Sequence, residues 1–239
     1  MSTAGVTFQS KNGNKLVGRL WLAKGENPRP TVLLLHGLPG IDQNHDLAYA
    51  LKNAGWNCLI FHYQGSWGSE GGYSLHHVLS DIDQALEFLT THPDVDRDNI
   101  VVCGHSLGGW AAVMTGARHS AVKAVISIAG VSDWSMMNLN EEFATGTTLF
   151  LVGIQPARLI QESTELEHAV DMVEQLNGRP LLAVHGTKDP GVPLAHSEAL
   201  LERYSTNSTL HVIDGADHGF SWQRDELIGT VLGWLKRLV

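Results

Sequence analysis

Ser106, in Gly104-His105-Ser106-Leu107-Gly108, is the residue of this chain best placed to act as a nucleophile. The pattern is G-x-S-x-G, which carries meaning only between a strand and a helix. An apolar run at residues 100–103 leads into it, and a stretch of small residues at 108–117 leaves it. Such a turn would hold the serine at strained backbone angles, with Oγ standing clear at the end of a sheet. The helix starting there would aim its free N–H groups and the positive end of its dipole at the site. A serine hydroxyl needs a base, and the base needs an orienting carboxylate. In open parallel sheets, sites gather at the carboxyl ends of strands. The partners are therefore sought just after apolar runs. His218 follows the last such run, in Asp214-Gly215-Ala216-Asp217-His218-Gly219-Phe220. Asp189 follows the run before it, in His185-Gly186-Thr187-Lys188-Asp189-Pro190-Gly191-Val192-Pro193. Asp133 also lies just past a strand end and competes with Asp189. Asp214 and Asp217 are so near His218 in sequence that turn roles suit them better.

The elements that must position these residues can be read along the chain. Residues 6–8 and 16–22 are predicted strands, joined by the turn Lys11-Asn12-Gly13-Asn14 as an antiparallel hairpin. Residues 25–30 form a loop. The continuous apolar run at 31–35 predicts a strand buried on both faces, ending in His36-Gly37-Leu38-Pro39-Gly40. A helix at 46–54, a buried strand at 57–63 and a Gly-rich loop at 64–73 follow. Ser74 is placed to cap a helix whose apolar stripe is Leu75, Val78, Leu79, Ile82, Leu86 and Leu89, with His92-Pro93 as its stop. After a strand at 122–129 the rhythm changes. Trp134, Met136, Met137, Phe143, Leu149, Phe150 and Ile154 precede an acidic helical segment at 162–176. That stretch is too long for an ordinary connection, and predicts an inserted helical cap at about 133–176. A strand at 181–184, a helix at 193–204, a strand at 210–213 and a closing amphipathic helix at 225–238 complete the chain. Strands alternating with helices predict one α/β domain over 1–239, with a mostly parallel sheet flanked by helices.

Composition narrows the function classes. The 239 residues suit a single domain, and 43% hydrophobic with 17% charged residues is ordinary for a globular protein. A formal net charge of −9, with Lys and Arg scattered, argues against nucleic acid or an anionic membrane as partner. Residues 1–10 show neither a basic nor an apolar leader segment, and no apolar run approaches a membrane span. Cys58 and Cys103 lie inside strand-like runs and read as reduced core thiols, which fits a cytoplasmic setting. Thirteen histidines include no H-E-x-x-H pattern and no Cys/His cluster, so neither a metal nor a cofactor is expected. His36 and His185 read as structural residues that hydrogen-bond their own loops.

Four segments, in order, resemble the α/β-hydrolase family, in the branch holding small esterases and prolyl-oligopeptidase-like hydrolases. H-G-L-P-G at His36 to Gly40 resembles its oxyanion loop, and G-H-S-L-G-G at Gly104 to Gly109 its nucleophile elbow. H-G-T-K-D-P-G-V-P at His185 to Pro193 resembles the acid loop, and D-H-G-F at Asp217 to Phe220 the histidine loop. The chain order Ser, Asp, His is also that of the family. The resemblance implies Ser106 as nucleophile, His218 as base and Asp189 as orienter. It implies the backbone N–H groups of Leu38 and Leu107 as the oxyanion hole. One stretch departs from the family. F-H-Y-Q-G-S-W-G-S-E-G at Phe61 to Gly71 stands where F-D-Y-R-G-x-G-x-S is usual. His62 and Gln64 replace the Asp and Arg, and Trp67 enters the loop.

The reaction expected is carboxylesterase-type hydrolysis of a small-molecule ester through an acyl-enzyme. The apolar stretch from Trp134 to Ile154, with Trp67 as another wall, suits an uncharged small-to-medium acyl or aryl group. A homodimer is left open. Two alternatives stand beside this reading: a peptidase or acyl-aminoacyl hydrolase with the same triad, and a non-catalytic binding protein of the same fold. A peptidase that grips a free amine needs a carboxylate pair, for which Glu141-Glu142 is the candidate.

Overall fold

The computed structural model of the chain describes residues 3–26, 28–41 and 44–238. The hairpin is present as β1 (Thr3–Gln9) and β2 (Lys15–Trp21), paired antiparallel. There follow β3 (Arg29–Leu35), α1 (His45–Asn53), β4 (Asn57–Phe61), α2 (Leu75–Thr91), β5 (Val95–His105), α3 (Leu107–Arg118) and β6 (Val122–Ile128). After β6 the chain passes through a short 3₁₀ turn (Trp134–Met136), α4 (Glu141–Thr148), α5 (Pro156–Thr164), α6 (Ala169–Met172) and a second 3₁₀ turn (Val173–Leu176). The fold closes with β7 (Leu181–Gly186), α7 (Ala195–Arg203), β8 (Ser208–Ile213) and α8 (Arg224–Leu235). The eight strands form one sheet in the order β1-β2-β4-β3-β5-β6-β7-β8. Only β2 runs against the rest, so this is the mostly parallel α/β sheet that was expected.

The period-two alternation of buried strands divides the core into two layers. Leu33, Leu35, Ile100 and Val102 pack with α2 and α3 on one face. Val32, Leu34, Val101 and Cys103 pack with α1 and α8 on the other. Both cysteines are free and buried, and burial pushes their thiols up.

Several boundaries differ from the sequence reading for local reasons. β5 starts at Val95, ahead of the apolar run, where it pairs with Arg29 of β3, and Asp96, Arg97 and Asp98 hide that start in the hydrophobic pattern. β4 stops at Phe61, and the His62 N–H still bonds back to the Val17 carbonyl at 2.9 Å. β3 begins at Arg29, inside the loop expected at 25–30; residue 27 of that loop lies outside the described residues. The acidic segment at 162–176 is not one helix. α5 starts at Pro156, whose fixed φ and missing N–H suit the first helical position, and it ends at Thr164.

The segment between β6 and β7 is tied to the body at named points. Glu162, on α5, is buried. Its Oε2 accepts from the Ser74 hydroxyl at 2.9 Å and from the Leu75 N–H at 2.7 Å, at the start of α2. Trp110, on α3, donates Nε1–H to the Glu167 carbonyl at 2.9 Å and meets Trp134 edge to face at 5.6 Å.

Candidate active site

Ser106 sits between the last residue of β5 and the first of α3, at φ 58° and ψ −119°. This left-handed region is costly for a residue with a Cβ, and such strain gathers at functional sites. The flanking glycines permit it. A Cβ on Gly104 would strike the Gly108 carbonyl, and one on Gly108 would strike the Leu35 carbonyl. The serine backbone is locked by its N–H to the Ile128 carbonyl at 2.9 Å. Leu107 opens α3, where the first N–H groups of a helix have no partner within it.

The other two residues arrive on loops at the same sheet edge. Asp189 follows β7 and His218 follows β8, and β7 and β8 pair in parallel. His218 Nδ1 lies 2.7 Å from Asp189 Oδ2, so Nδ1 carries the proton and donates it to the carboxylate. Nε2 is thereby left as the acceptor. Asp189 has a fully enclosed side chain with four supports. Oδ1 accepts from the N–H groups of Gly191 at 2.9 Å and Val192 at 2.8 Å. Oδ2 faces His218 and, at 3.4 Å, His185 Nε2. Burial alone would raise this carboxyl, but hydrogen bonds from His185 and His218 outweigh it and hold the group far below the usual carboxylate range.

His185 is structural, as expected. Its Nδ1 meets the Ser197 hydroxyl at 2.7 Å and its Nε2 the Val192 carbonyl at 2.8 Å. Asp133 is elsewhere. Its Oδ1 accepts from the N–H and hydroxyl of Ser135, at 2.8 and 2.6 Å, and caps the first 3₁₀ turn. Asp214 accepts from the Thr187 hydroxyl and Asp217 from the Ser221 N–H, both in turns. One contributor was missed. His105, buried beside the serine, lies with Nε2 2.7 Å from the His218 carbonyl and so pins the backbone of the histidine loop. Burial lowers its pKa to about 3, so it acts as a neutral donor. Its only sequence signal was its position inside the G-x-S-x-G pattern.

Ser106, Leu107, Leu38 and His218 open on one partly open cavity of about 100 Å³. Trp134, Met137, Leu139, Phe143 and Val192 supply much of its apolar wall. A groove of about 360 Å³ continues outward, sharing Met137, Leu139, Phe143 and Gly191 and reaching Pro190 and Pro193. On its far side His218 borders a polar cleft of about 630 Å³ walled by His105, Asp46 and Arg224. Trp134 therefore stands where the sequence put it. Trp67 does not: it is absent from the walls of the serine cavity and braces Pro39 instead. Glu141 and Glu142 are exposed and are not among the residues lining the cavity, and Leu149 and Phe150 also lie outside it.

The chain resembles known proteins in sequence and in fold. Over 226 residues the chain is 27% identical to YfhR of Escherichia coli O157:H7, described as an uncharacterized protein, covering 91% of this chain and 74% of that one. It is 25% identical to the esterase LipC of Mycobacterium tuberculosis, covering 84% of this chain and 56% of LipC. The fold matches the crystal structure of the α/β hydrolase GrgF from Penicillium sp. sh18 with a TM-score of 0.84, at 17% identity and 99% coverage of both chains. A sequence profile of the prolyl oligopeptidase family matches residues 45–239. The chain thus belongs to the prolyl oligopeptidase family, as a hydrolase on the α/β-hydrolase fold.

Proposed function

We propose that the protein is a serine hydrolase that cleaves esters of short, uncharged acids through an acyl-enzyme. The observation that carries this reading is Ser106 at a strained turn, sharing an apolar cavity with His218, whose Nδ1 is committed to Asp189. His218 Nε2 takes the Ser106 proton as Oγ attacks the ester carbonyl. The carbonyl oxygen gains the negative charge and is held by the N–H groups of Leu107 and Leu38. His218 returns the proton to the departing alcohol, leaving the acyl group on Ser106. A water molecule, deprotonated by His218, then attacks the acyl carbon and releases the acid and the free serine. Asp189 stays ionised throughout and steadies the imidazolium. Each oxyanion donor contributes roughly 3–4 kcal/mol, because it meets charge that exists only in the transition state.

The cavity supports the substrate class. His218 is the only titratable side chain among its lining residues, so nothing there would hold a free amine or a carboxylate. An apolar cavity of roughly 150 Å³ takes a benzene ring. One of about 100 Å³ suits an acyl chain of about four carbons. The outer groove leaves room for a larger alcohol.

The test is a panel of p-nitrophenyl acetate, butyrate and octanoate beside aminoacyl p-nitroanilides. Acetate and butyrate should give the highest kcat/KM, and Ser106→Ala should lose about 10⁶-fold in kcat together with covalent labelling by a fluorophosphonate. Faster anilide turnover would transfer the assignment to a peptidase. A Ser106→Ala variant that still labels would end the serine mechanism.

A further inference from the structure

The loop between β4 and α2, where the sequence departs from its family, has no place in the chemistry above. Its contacts give it one. Trp67, at its tip, sits at φ 46° in the left-handed region. Its indole Nε1–H donates to the Pro39 carbonyl at 2.7 Å. The ring lies so close to Gly40 that a Cβ there would fall 2.7 Å from Nε1 and 2.9 Å from Cδ1. The indole also stacks on Phe150, with ring centroids 6.1 Å apart and planes 17° from parallel. One tryptophan therefore touches both the loop after β3 and the segment between α4 and α5.

The backbone makes the same connection. Ser66 and Leu151 form an isolated antiparallel bridge. The Val152 N–H bonds to the Gly65 carbonyl at 2.8 Å, and the Tyr73 N–H to the Val152 carbonyl at 2.7 Å. From below, the loop is anchored by buried Asp81, which accepts from the Gln64 N–H at 2.8 Å and from Gln64 Nε2–H at 2.7 Å. Gln64 thus fills the place of the family's usual arginine with a neutral donor.

The position of the Leu38 amide follows from what holds its neighbours. On one side, Gly37 packs so tightly on the elbow that a Cβ there would lie 2.9 Å from Ser106 Cβ. On the other side, the Pro39 carbonyl is held by Trp67. The amide between them is clamped at both ends.

Building on the serine-hydrolase reading, we propose that Trp67 is a positioning residue that sets the Leu38 amide in place and ties it to residues 150–152 of the cap. It touches neither substrate nor reacting atoms. It acts through the Pro39 carbonyl, and its effect belongs to the transition state, where the Leu38 N–H meets developing charge.

The experiment compares Trp67→Phe, which keeps a ring for Phe150 but removes the N–H together with the five-membered ring that packs on Gly40, with Phe150→Leu, which keeps the N–H and deletes the stack. Both are assayed on p-nitrophenyl butyrate, with melting temperature and fluorophosphonate labelling rate recorded. Trp67→Phe should lower kcat by about 10- to 100-fold, less than the 10²–10³ that follows deletion of a donor itself, since a misplacement of about 1 Å has an effect of that size. KM should change by less than about threefold, and the labelling rate should fall in step with kcat. Phe150→Leu should move kcat in the same direction by a smaller factor. A Trp67→Phe enzyme with wild-type kcat, or with its whole defect in KM, overturns the inference while leaving Ser106 as nucleophile. Should Trp67→Phe not fold, an unchanged kcat in Phe150→Leu overturns it in the same way. An active Ser106→Ala enzyme would instead remove the reading on which the inference rests.

Discussion

The acid side and the oxyanion side of this site are built by different means. Asp189 takes three of its four supports from within four residues, Gly191 and Val192 in its own loop and His185 in the strand before it, and the fourth from His218 in the neighbouring strand's loop, 29 residues on. The Leu38 loop is held by residues from far along the chain: Tyr63 and Trp67 from the loop after β4, with the Tyr63 hydroxyl on the His36 carbonyl at 3.2 Å, and behind Trp67 the cap residue Phe150. In the proposed mechanism, then, the carboxylate is placed largely by its own loop, and the Leu38 donor by contacts between segments that reach the cap. The first arrangement resists distant change, whereas the second transmits it.

The strongest way to break the acid side is to remove its charge. Asp189→Asn should lower kcat by about 10⁴-fold, because the imidazole loses the partner that fixes its tautomer. Asp133→Asn should stay within a few-fold of wild type, since Asp133 caps a 3₁₀ turn and pairs with His168, away from His218. Steady-state kinetics on one ester decides both, and the reverse ranking would move the acid to the end of β6.

Acid challenges both sides at once. Burial lowers the pKa of His36 to about 3, His62 to about 4 and His105 to about 3. The first two lie under the oxyanion loop, with rings 5.5 Å apart, and the third under the histidine loop. In the unfolded chain they titrate near about 6.5. Their contribution to stability is therefore complete above that value and is lost as pH falls toward 4. Asp81 opposes them. Burial raises it to about 6, so its contribution is complete below about 4 and is lost as pH rises through 6. From these four groups alone, unfolding near pH 5 should take up about two protons net and stability should fall by about 3 kcal/mol per pH unit, and His45 and His196, also lowered by burial, act in the same direction. Urea unfolding at pH 7, 6 and 5 measures this. A flat profile would mean that these histidines are charged in the folded chain.

The smallest expected effect concerns the cap. Met137 belongs to both the inner cavity and the outer groove. Met137→Ala should join the two and raise the octanoate-to-acetate ratio of kcat/KM by about tenfold, the worth of about two more buried methylenes. An unchanged ratio would place the acyl chain elsewhere.

The same division marks what could be read from the sequence. Ser106, Asp189 and His218 were legible because each sits in a short segment whose own residues build its turn. The parallel sheet was legible because its strands are unbroken apolar runs. Less was visible where structure depends on distant partners. Trp67 looked like a pocket wall because an exposed aromatic in a Gly-rich loop says nothing of which carbonyl its indole will reach. The start of β5 was hidden by three polar residues, and α5 by reading acidic residues as continuous across the break after Thr164. His105 carried no sign that its ring would reach the backbone of residue 218.

The segment between β6 and β7 divides its labour. α6 and the 3₁₀ turn after it bury Ala169, Val173 and Leu176 in the same layer as α3, as the crossover helix between two parallel strands ordinarily does. The crossover itself is made by the residues after about 168, while those before it form the cap, which is seated in the same layer through Ala144, Leu151, Ile154 and Leu159. For protein engineering this marks a graft site. A cap of different length or chemistry can be spliced between residues 133 and 168 while the sheet and the Ser–Asp–His loops stay untouched. Substrate range and chemistry can then be varied separately, provided that the graft still offers an aromatic face to Trp67 and an acceptor to the start of α2.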